Sequence, residues 1–547
     1  MSAKLLIKKP NSAKKNKVDD VWDYIIIGAG ITGLYAAYRL RQHTTPSTQI
    51  LVLEAGCRVG GRMAMVDFHG INIEPGAGIG RLEKDKALIG LLEELGIKWS
   101  KFPVSHNYSP VAYNSQLAYN NSNQKGIKRL PKIGRVAQKI QLPQPTPNLT
   151  TPDWIKKQVN KLRATYKKTP AITTFHAFAL KVLGRKVYQQ LVLALGYTDF
   201  EKEDVAETLF NYGLDDLYDH WTGMGIDWQE LMDNLVKHSR ATIKLNTRAV
   251  KLNRDDTGMF TIQTSSVPIE TTPTSSRTSL GDKLNTMKLR NSNKYSSQLN
   301  SMKTQKHKRF GLTRQNIPNL PTSNSIGCHQ RSKLKNTSKM QEFRARKVLI
   351  ATTITPAREL VSDFMLGLGL RIPIHLSGVQ SQSFLRIYGY FTGKNHEVMQ
   401  KYCQHTQVVP GGYHRIIPMG SSDGGKSGVY MIVYTDNRAA DNLEHLKTNT
   451  PANRQILADG IKAALGIPND TSLDINDILG YYWREGTHYY TPLNQRKFGT
   501  RDEFLKQLQH PIGTHGGLFL AGEAFSRQQG WTEGAIESVD AVLGDML

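Results

Sequence analysis

The stretch VWDYIIIGAGITGLYAAYRLRQH, residues 21–43, constrains the fold more than any other part of the chain. Tyr24 to Ile27 is a short apolar run that stops at a glycine, the pattern of a buried parallel strand. Behind it Leu34, Ala37 and Leu40 recur at helical spacing, and TQILVLEAG (48–56) reads as a second strand. Strand, glycine turn, helix and strand make one βαβ unit. Gly28, Gly30 and Gly33 stand at its turn with GxGxxG spacing. The first glycine permits the tight turn, the second lets the backbone approach a pyrophosphate, and the third lets helix and strand pack closely. The helix start then offers N–H groups and a positive dipole end to phosphates. Glu54 follows 21 residues after Gly33, where an acid accepts hydrogen bonds from the adenosine ribose. The triplet alone would also suit a loop that binds nothing; in this context the expectation is dinucleotide binding.

The rest of the chain bounds the protein around that unit. At 547 residues two or three domains are expected. With 39% hydrophobic residues most of it can fold. No apolar run is long enough for a membrane helix, and the start MSAKLLIKKPNSAKKNK has no apolar core to make a secretory signal. Cys57, Cys328 and Cys403 form no CxxC pair, so neither a disulfide framework nor a zinc site is expected, and Cys57 reads as a small packed residue. These features imply an intracellular, soluble, cytoplasmic protein. The net charge of +25 is uneven. Residues 1–17 hold six lysines and no acid, and residues 271–340 hold fourteen Lys/Arg against Asp282 alone. The first suits a flexible tail or a nuclear-localisation patch. The second, Ser/Thr/Asn/Lys-rich over 266–340, has the composition of a disordered insertion in a sheet connection. It suits either a solvated loop or a surface for a polyanion or nucleic acid.

Further along, residues 83–100 read as an amphipathic helix with a turn at Gly96, and 104–152 as long polar loops. Helical spacing holds from Pro152 to about Leu235. Residues 241–264 alternate as strands with a turn at Asp255–Gly258, and a strand resumes at Phe343. SFLRIYGYF and GVYMIVYTD read as strands, ANRQILADGIKAALG as a helix, and the last 30 residues as a strand, GLFLAGEA, then a helix.

Beyond Glu54, three pieces carry a family likeness: Gly60-Gly61-Arg62, the run Glu74 to Arg81 (EPGAGIGR), and LFLAGEAFSRQQGWTEGAIES near the C-terminus. In these the sequence resembles the flavin-containing amine oxidases, the monoamine, polyamine and L-amino-acid oxidases. The resemblance implies an α/β fold: a Rossmann-like, glutathione-reductase-type FAD domain interleaved with a mixed-sheet and helical substrate domain. The FAD domain would draw on 20–82, 240–262, 343–360 and 510–547, and the substrate domain on 83–239 and 361–509. It implies non-covalent FAD, since no cysteine lies in Arg484–Thr487. Glu54 and Ala55 would meet the adenosine and Arg62, beside Gly61, the pyrophosphate. Gly76, Ala77 and Gly78 would pass the flavin, and Val250 would meet adenine through its backbone. Gly522 and Glu523 would lie near pyrophosphate and ribityl, and Thr532 would open a helix aimed at the pyrimidine edge.

For the substrate, the resemblance implies an aromatic-walled pocket with Trp531 as one wall and Tyr489, Tyr490 or His488 as the other; Trp483 reads as core. Arg81 stands where L-amino-acid oxidases hold a substrate carboxylate, and a surface or phosphate-facing role weighs equally. The family's lysine near flavin N5 aligns with Ser383, beside Phe384. No lysine lies between Arg371 and Lys394, and Arg386, the nearest cation, reads as a surface residue. The expected activity is hydride transfer from an amine or L-amino acid to FAD, with hydrogen peroxide as co-product. The missing lysine leaves two alternatives: a catalytically silent flavoprotein with a structural or polyanion-binding role, and a desaturase- or isomerase-type relative on the same fold.

Overall fold

Val21–Ile27 lies between Ile50–Leu53 and Gln341–Ile350 and runs parallel to both. The computed structural model describes residues 21–104, 107–108, 152–266, 340–494 and 498–547. The N-terminal tail, nearly all of 104–152 and the basic stretch lie outside the described residues. The first sheet has the order Thr247–Arg254, Phe260–Ser266, Gln341–Ile350, Val21–Ile27, Ile50–Leu53, Thr242–Lys244, with Leu518–Leu520 added parallel beside Gln341–Ile350. Residues from both ends of the chain therefore share one sheet.

Alternation along its central strands explains the layers. Ile26 and Val52 pack with the helices Ile31–His43, Trp228–Ser239 and Thr532–Met546 through Leu34, Leu40, Trp228, Ile536 and Val539. Ile25, Ile27, Leu51 and Leu53 face the other way, onto Leu252, Phe260 and the helix Ile354–Gly367. Burying each such Leu or Ile contributes about 1.5–3 kcal/mol, and both faces are covered, as a parallel sheet requires.

The second sheet has the order Asp477–Tyr490, Val379–Thr392, Ser427–Asp436, Arg415–Ser422, Gln407–Val408, Asn107–Tyr108. The helices Gly393–Tyr402, Asn437–Leu443 and Pro451–Leu465 cover one face, on Leu385, Ile387 and Ile432. The other face carries Gln382, Phe384 and Arg386, which alternate with Leu385 and Ile387 and line a cavity.

Several expectations are corrected. The helical block from Pro152 is interrupted by the strand Trp221–Ile226, which pairs with Trp99–Val104 and Gly80–Arg81. Its MGI run is too short and too glycine-rich for helix. The strand in GLFLAGEA ends at Leu520, because Gly522 takes φ +139° and turns the chain. Cys403 is a buried free thiol, and Cys57 is half-buried. No helix among the described residues is long and apolar enough to cross a membrane.

Candidate active site

The glycine turn has the geometry its spacing demands. Gly28 takes φ +108°, and a Cβ there would lie 2.6 Å from the Ala351 carbonyl oxygen. A Cβ on Gly33 would lie 1.9 Å from the Gly28 oxygen, so helix and strand touch at backbone distance. Over Gly30 nothing lies within 4 Å of the Cβ position. Gly30 caps the helix Ile31–His43 with no side-chain bond, so the first-turn N–H groups face open space. Glu54 accepts the Ala29 N–H at 2.8 Å and the Gly56 N–H at 2.6 Å, which fixes its carboxylate at the end of the second strand. Ala55 follows it, half-buried. On the strand Thr247–Arg254 the register skips Val250 between Ala249 and Lys251; the bulge withholds its backbone from the ladder, and it is exposed.

The Gly60-Gly61-Arg62 segment sits directly on this turn: the Gly60 N–H donates to the Ala29 oxygen at 2.8 Å, and the Gly61 Cβ position is 3.8 Å from Gly30 Cα. Gly76 passes so close under Arg62 that a Cβ would meet its carbonyl oxygen at 1.9 Å. Arg62 then reaches the other end of the chain. Its Nη1 donates to the Gly486 oxygen at 2.8 Å and its Nη2 pairs with Glu523 at 2.9 Å. Glu523 also accepts the backbone N–H groups of His488 at 2.9 Å and Gly530 at 3.2 Å, and His488 Nδ1 at 2.9 Å. Burial alone would raise the Glu523 carboxyl, but the charge of Arg62 and the hydrogen bonds from His488 and Arg62 outweigh it and hold the group well below the usual carboxylate range. Gly522 beside it donates its N–H to Ser538 at 2.8 Å.

A cavity of about 700 Å³ opens from this junction. Its walls include Arg62, Gly76, Ala77, Gly78, Glu523, Trp531 and Thr532 on the dinucleotide side. Thr532 starts the helix Thr532–Met546, whose cap, Trp531, makes no side-chain bond to it. These residues fit FAD: an open glycine cradle, a fixed acid for ribose, an arginine between the two chain ends, and a second uncapped helix start beside the cavity. Across from them stand Phe384, Tyr197, Tyr434, Trp483 and Tyr489.

The five expected substrate-pocket residues divide; Tyr490 does not line the cavity but is buried, with its hydroxyl donating to the Ser526 oxygen at 2.8 Å. Trp531 and Tyr489 line the cavity. His488 reaches it too, but both ring nitrogens are committed. Nε2 accepts the Ile354 N–H at 3.2 Å, so Nδ1 carries the proton donated to Glu523. It positions Glu523. Arg81 does not line the cavity. Its Nε and Nη2 grip Asp85 at 2.8 and 2.6 Å, Nη2 donates to Gln528, and the guanidinium lies 3.9 Å behind the Trp531 ring. The arginine that suits a carboxylate in the sequence has one of its own, four residues away.

Three further readings change. Trp483 is a cavity wall, held by its Nε1–H to the Pro75 oxygen at 2.7 Å. Ser383 faces away from the cavity and donates to Asp441 at 2.5 Å. Arg386 is a cavity residue, donating to the Glu74 oxygen at 2.6 Å and the Tyr434 hydroxyl at 3.1 Å. The alternation of Leu385 and Ile387 with Phe384 and Arg386 was the available signal. No lysine lines this cavity among the described residues. Five acids that sequence reading did not assign to the site also line it: Glu74, Asp199, Glu203, Glu207 and Asp216. Burial raises Glu74 to about 7 against the opposing charge of Arg386, and raises Asp199 to about 7 with help from Asp436. Burial holds Glu203 well above the carboxylate range.

Residues 26–95 match the NAD(P)-binding Rossmann-like domain family. A putrescine oxidase structure superposes with a TM-score of 0.58 at 13% identity, covering 96% of this chain and 98% of that one. The cyclohexylamine oxidase from Brevibacterium oxydans IH-35A gives 0.55 at 13%, covering 96% and 99%. The fold is that of the flavin amine oxidases. Sequence likeness is local. The polyamine oxidase 1 of Zea mays is 47% identical over 53 residues, 10% of each chain. The mitochondrial protoporphyrinogen oxidase of Nicotiana tabacum is 32% identical over 104 residues, 19% of this chain and 20% of that one. The match thus spans a tenth to a fifth of these curated relatives' length.

Proposed function

We propose that the protein is an FAD-dependent oxidoreductase that takes a hydride from the carbon beside nitrogen of an amine or amino acid. The observation that carries this is the aromatic cavity that opens from the Arg62–Glu523 junction and runs past Gly76, Gly78 and Thr532. Bound FAD supplies the two-electron acceptor. Gly28, Gly30, Gly33, Glu54, Ala55 and Val250 hold its adenosine and phosphate end. Gly61, Arg62, Gly522 and Glu523 fix its middle, and Gly76, Ala77, Gly78 and Thr532 border its ring. Trp531, Tyr489 and Phe384 form apolar walls that orient a flat substrate and exclude water. The amine loses a hydride and becomes an imine, which water hydrolyses to a carbonyl compound and ammonia or a smaller amine. Oxygen, as terminal acceptor, leaves as hydrogen peroxide.

Anaerobic mixing with a panel of amines and L-amino acids tests this. At least one should bleach the flavin absorbance, and readmitted oxygen should restore it with peroxide release. The lysine-free cavity wall favours a second reading, a flavoprotein without this turnover; failure of every compound to bleach the flavin would select it.

A further inference from the structure

Of the arginines on the cavity wall, Arg62 is ion-paired with Glu523, Arg527 with Glu207 and Asp502, and Arg415 donates to the Leu195 oxygen at 2.9 Å and lies over the Tyr197 ring. Arg386 has no ion pair among the described residues. The oxygens it bonds are a backbone carbonyl, that of Glu74, and a hydroxyl, that of Tyr434. Its guanidinium also lies 4.5 Å over the Tyr434 ring. Tyr388 braces the same Glu74 carbonyl with its hydroxyl at 2.6 Å, so the group is pinned in place. Arg386 is half-buried on the cavity wall, and a guanidinium fixed there on neutral acceptors presents its charge to an anion that enters the cavity. Glu74, whose backbone oxygen Arg386 holds, is itself pushed up to about 7 by burial and gives only part of a counter-charge at neutral pH.

The location says which anion fits. The Gly78 Cβ position is 3.6 Å from Arg386 Nη1, so the guanidinium abuts the Gly76–Gly78 turn on the dinucleotide side of the cavity. A carboxylate anchored there sits beside the reacting end of a substrate and not at its far end. That is the layout of an α-amino acid, whose carboxylate is on the carbon that loses hydride. A planar fork of N–H donors suits a carboxylate, and an ammonium does not replace it equally.

Resting on the function proposed above, we propose that Arg386 is the specificity-determining residue that anchors a substrate carboxylate, so that the cavity takes α-amino acids in preference to simple amines. The test titrates the flavin-loaded protein with benzoate and benzamide, which share shape and differ in charge. Binding is read by the shift in flavin absorbance and, independently of the flavin, by titration calorimetry. Wild type should bind benzoate at least tenfold more tightly than benzamide. Arg386→Met should lose about tenfold to a hundredfold in benzoate affinity with benzamide unchanged, and Arg386→Lys should fall between. Flavin content and urea unfolding midpoint are measured on each variant. Should Arg386→Met fail to fold, the benzoate-to-benzamide ratio of wild type and Arg386→Lys still decides. Equal binding of the two probes by wild type, or an unchanged benzoate affinity in Arg386→Met, overturns the proposal. So does a change confined to flavin content and spectrum, which would assign Arg386 to the cofactor. Arginine-dependent benzoate binding without bleaching by any substrate would instead leave the anchor standing and remove the oxidation.

Discussion

Replacing Glu523 by Gln probes the joint between the two ends of the chain. The carboxylate accepts from Arg62 Nη2, His488 Nδ1 and the N–H groups of His488 and Gly530, all within 3.2 Å, and its side chain is 6% exposed. The amide keeps one acceptor oxygen and turns an NH2 toward these donors, and it leaves Arg62 without its counter-charge. Breaking a buried, hydrogen-bonded ion pair from one side costs about 3–5 kcal/mol. Arg62 is 29% exposed at the cavity, so its share of that loss is smaller. A double-mutant cycle of Glu523→Gln with Arg62→Met should show a coupling of about 1–3 kcal/mol. The measurement is equilibrium urea unfolding at pH 7, followed by far-UV circular dichroism. The pH dependence has a definite sign. The folded pKa of Glu523 lies below its ordinary 4.5, so its stabilisation is present above 4.5 and is lost as pH falls through the folded value. The gap between wild type and Glu523→Gln should therefore narrow in acid. A single-variant loss under about 0.5 kcal/mol, the size of an ordinary surface substitution, or strictly additive variants, would refute this reasoning.

Four other outcomes are expected. Gly33→Ala places a methyl 1.9 Å from the Gly28 oxygen, so purified protein should lose bound flavin and solubility, read from the flavin-to-protein absorbance ratio. Burial raises Glu74 from 4.5 to about 7, so its stability contribution is full below 4.5 and falls as pH rises through 7. Glu74→Gln should unfold at higher urea than wild type at pH 8, by up to about 3 kcal/mol, and equally at pH 4.5. Arg81→Met should loosen the backing of Trp531, lower stability and weaken benzoate and benzamide alike, whereas Arg386→Met separates the two probes. Thr264 and Gln341 are Cα partners in an antiparallel pair, so a short Asn-Gly turn can join Ser266 to Met340. Replacing 267–339 in this way should leave flavin content and unfolding midpoint unchanged.

The dinucleotide half was legible because its determinants are local. GxGxxG needs only a strand before it and a helix after it, and Glu54 ends the next strand, so residue order carried the geometry. Gly76 and Arg62 were also legible, through resemblance, although the 1.9 Å approach that demands a glycine exists only in three dimensions. The substrate half depends on which face of a strand looks into the cavity. Arg386 reads as a surface residue in isolation, and only the packing of Leu385 and Ile387 against the covering helices turns it inward. Arg81 failed in the opposite direction. Its residue type suited a carboxylate, and Asp85, one helical turn later in sequence, already supplied one. The strand Trp221–Ile226 escaped notice because its partners, Gly80–Arg81 and Trp99–Val104, lie over a hundred residues away.

The flavin-to-protein ratio of the chain, after incubation with FAD and gel filtration, tests most directly that its two ends hold one cofactor between them. Wild type should retain one flavin per chain, and Arg62→Met with Glu523→Gln should lose most of it while the second sheet stays folded. A wild-type protein that is folded by circular dichroism and remains colourless would contradict the account.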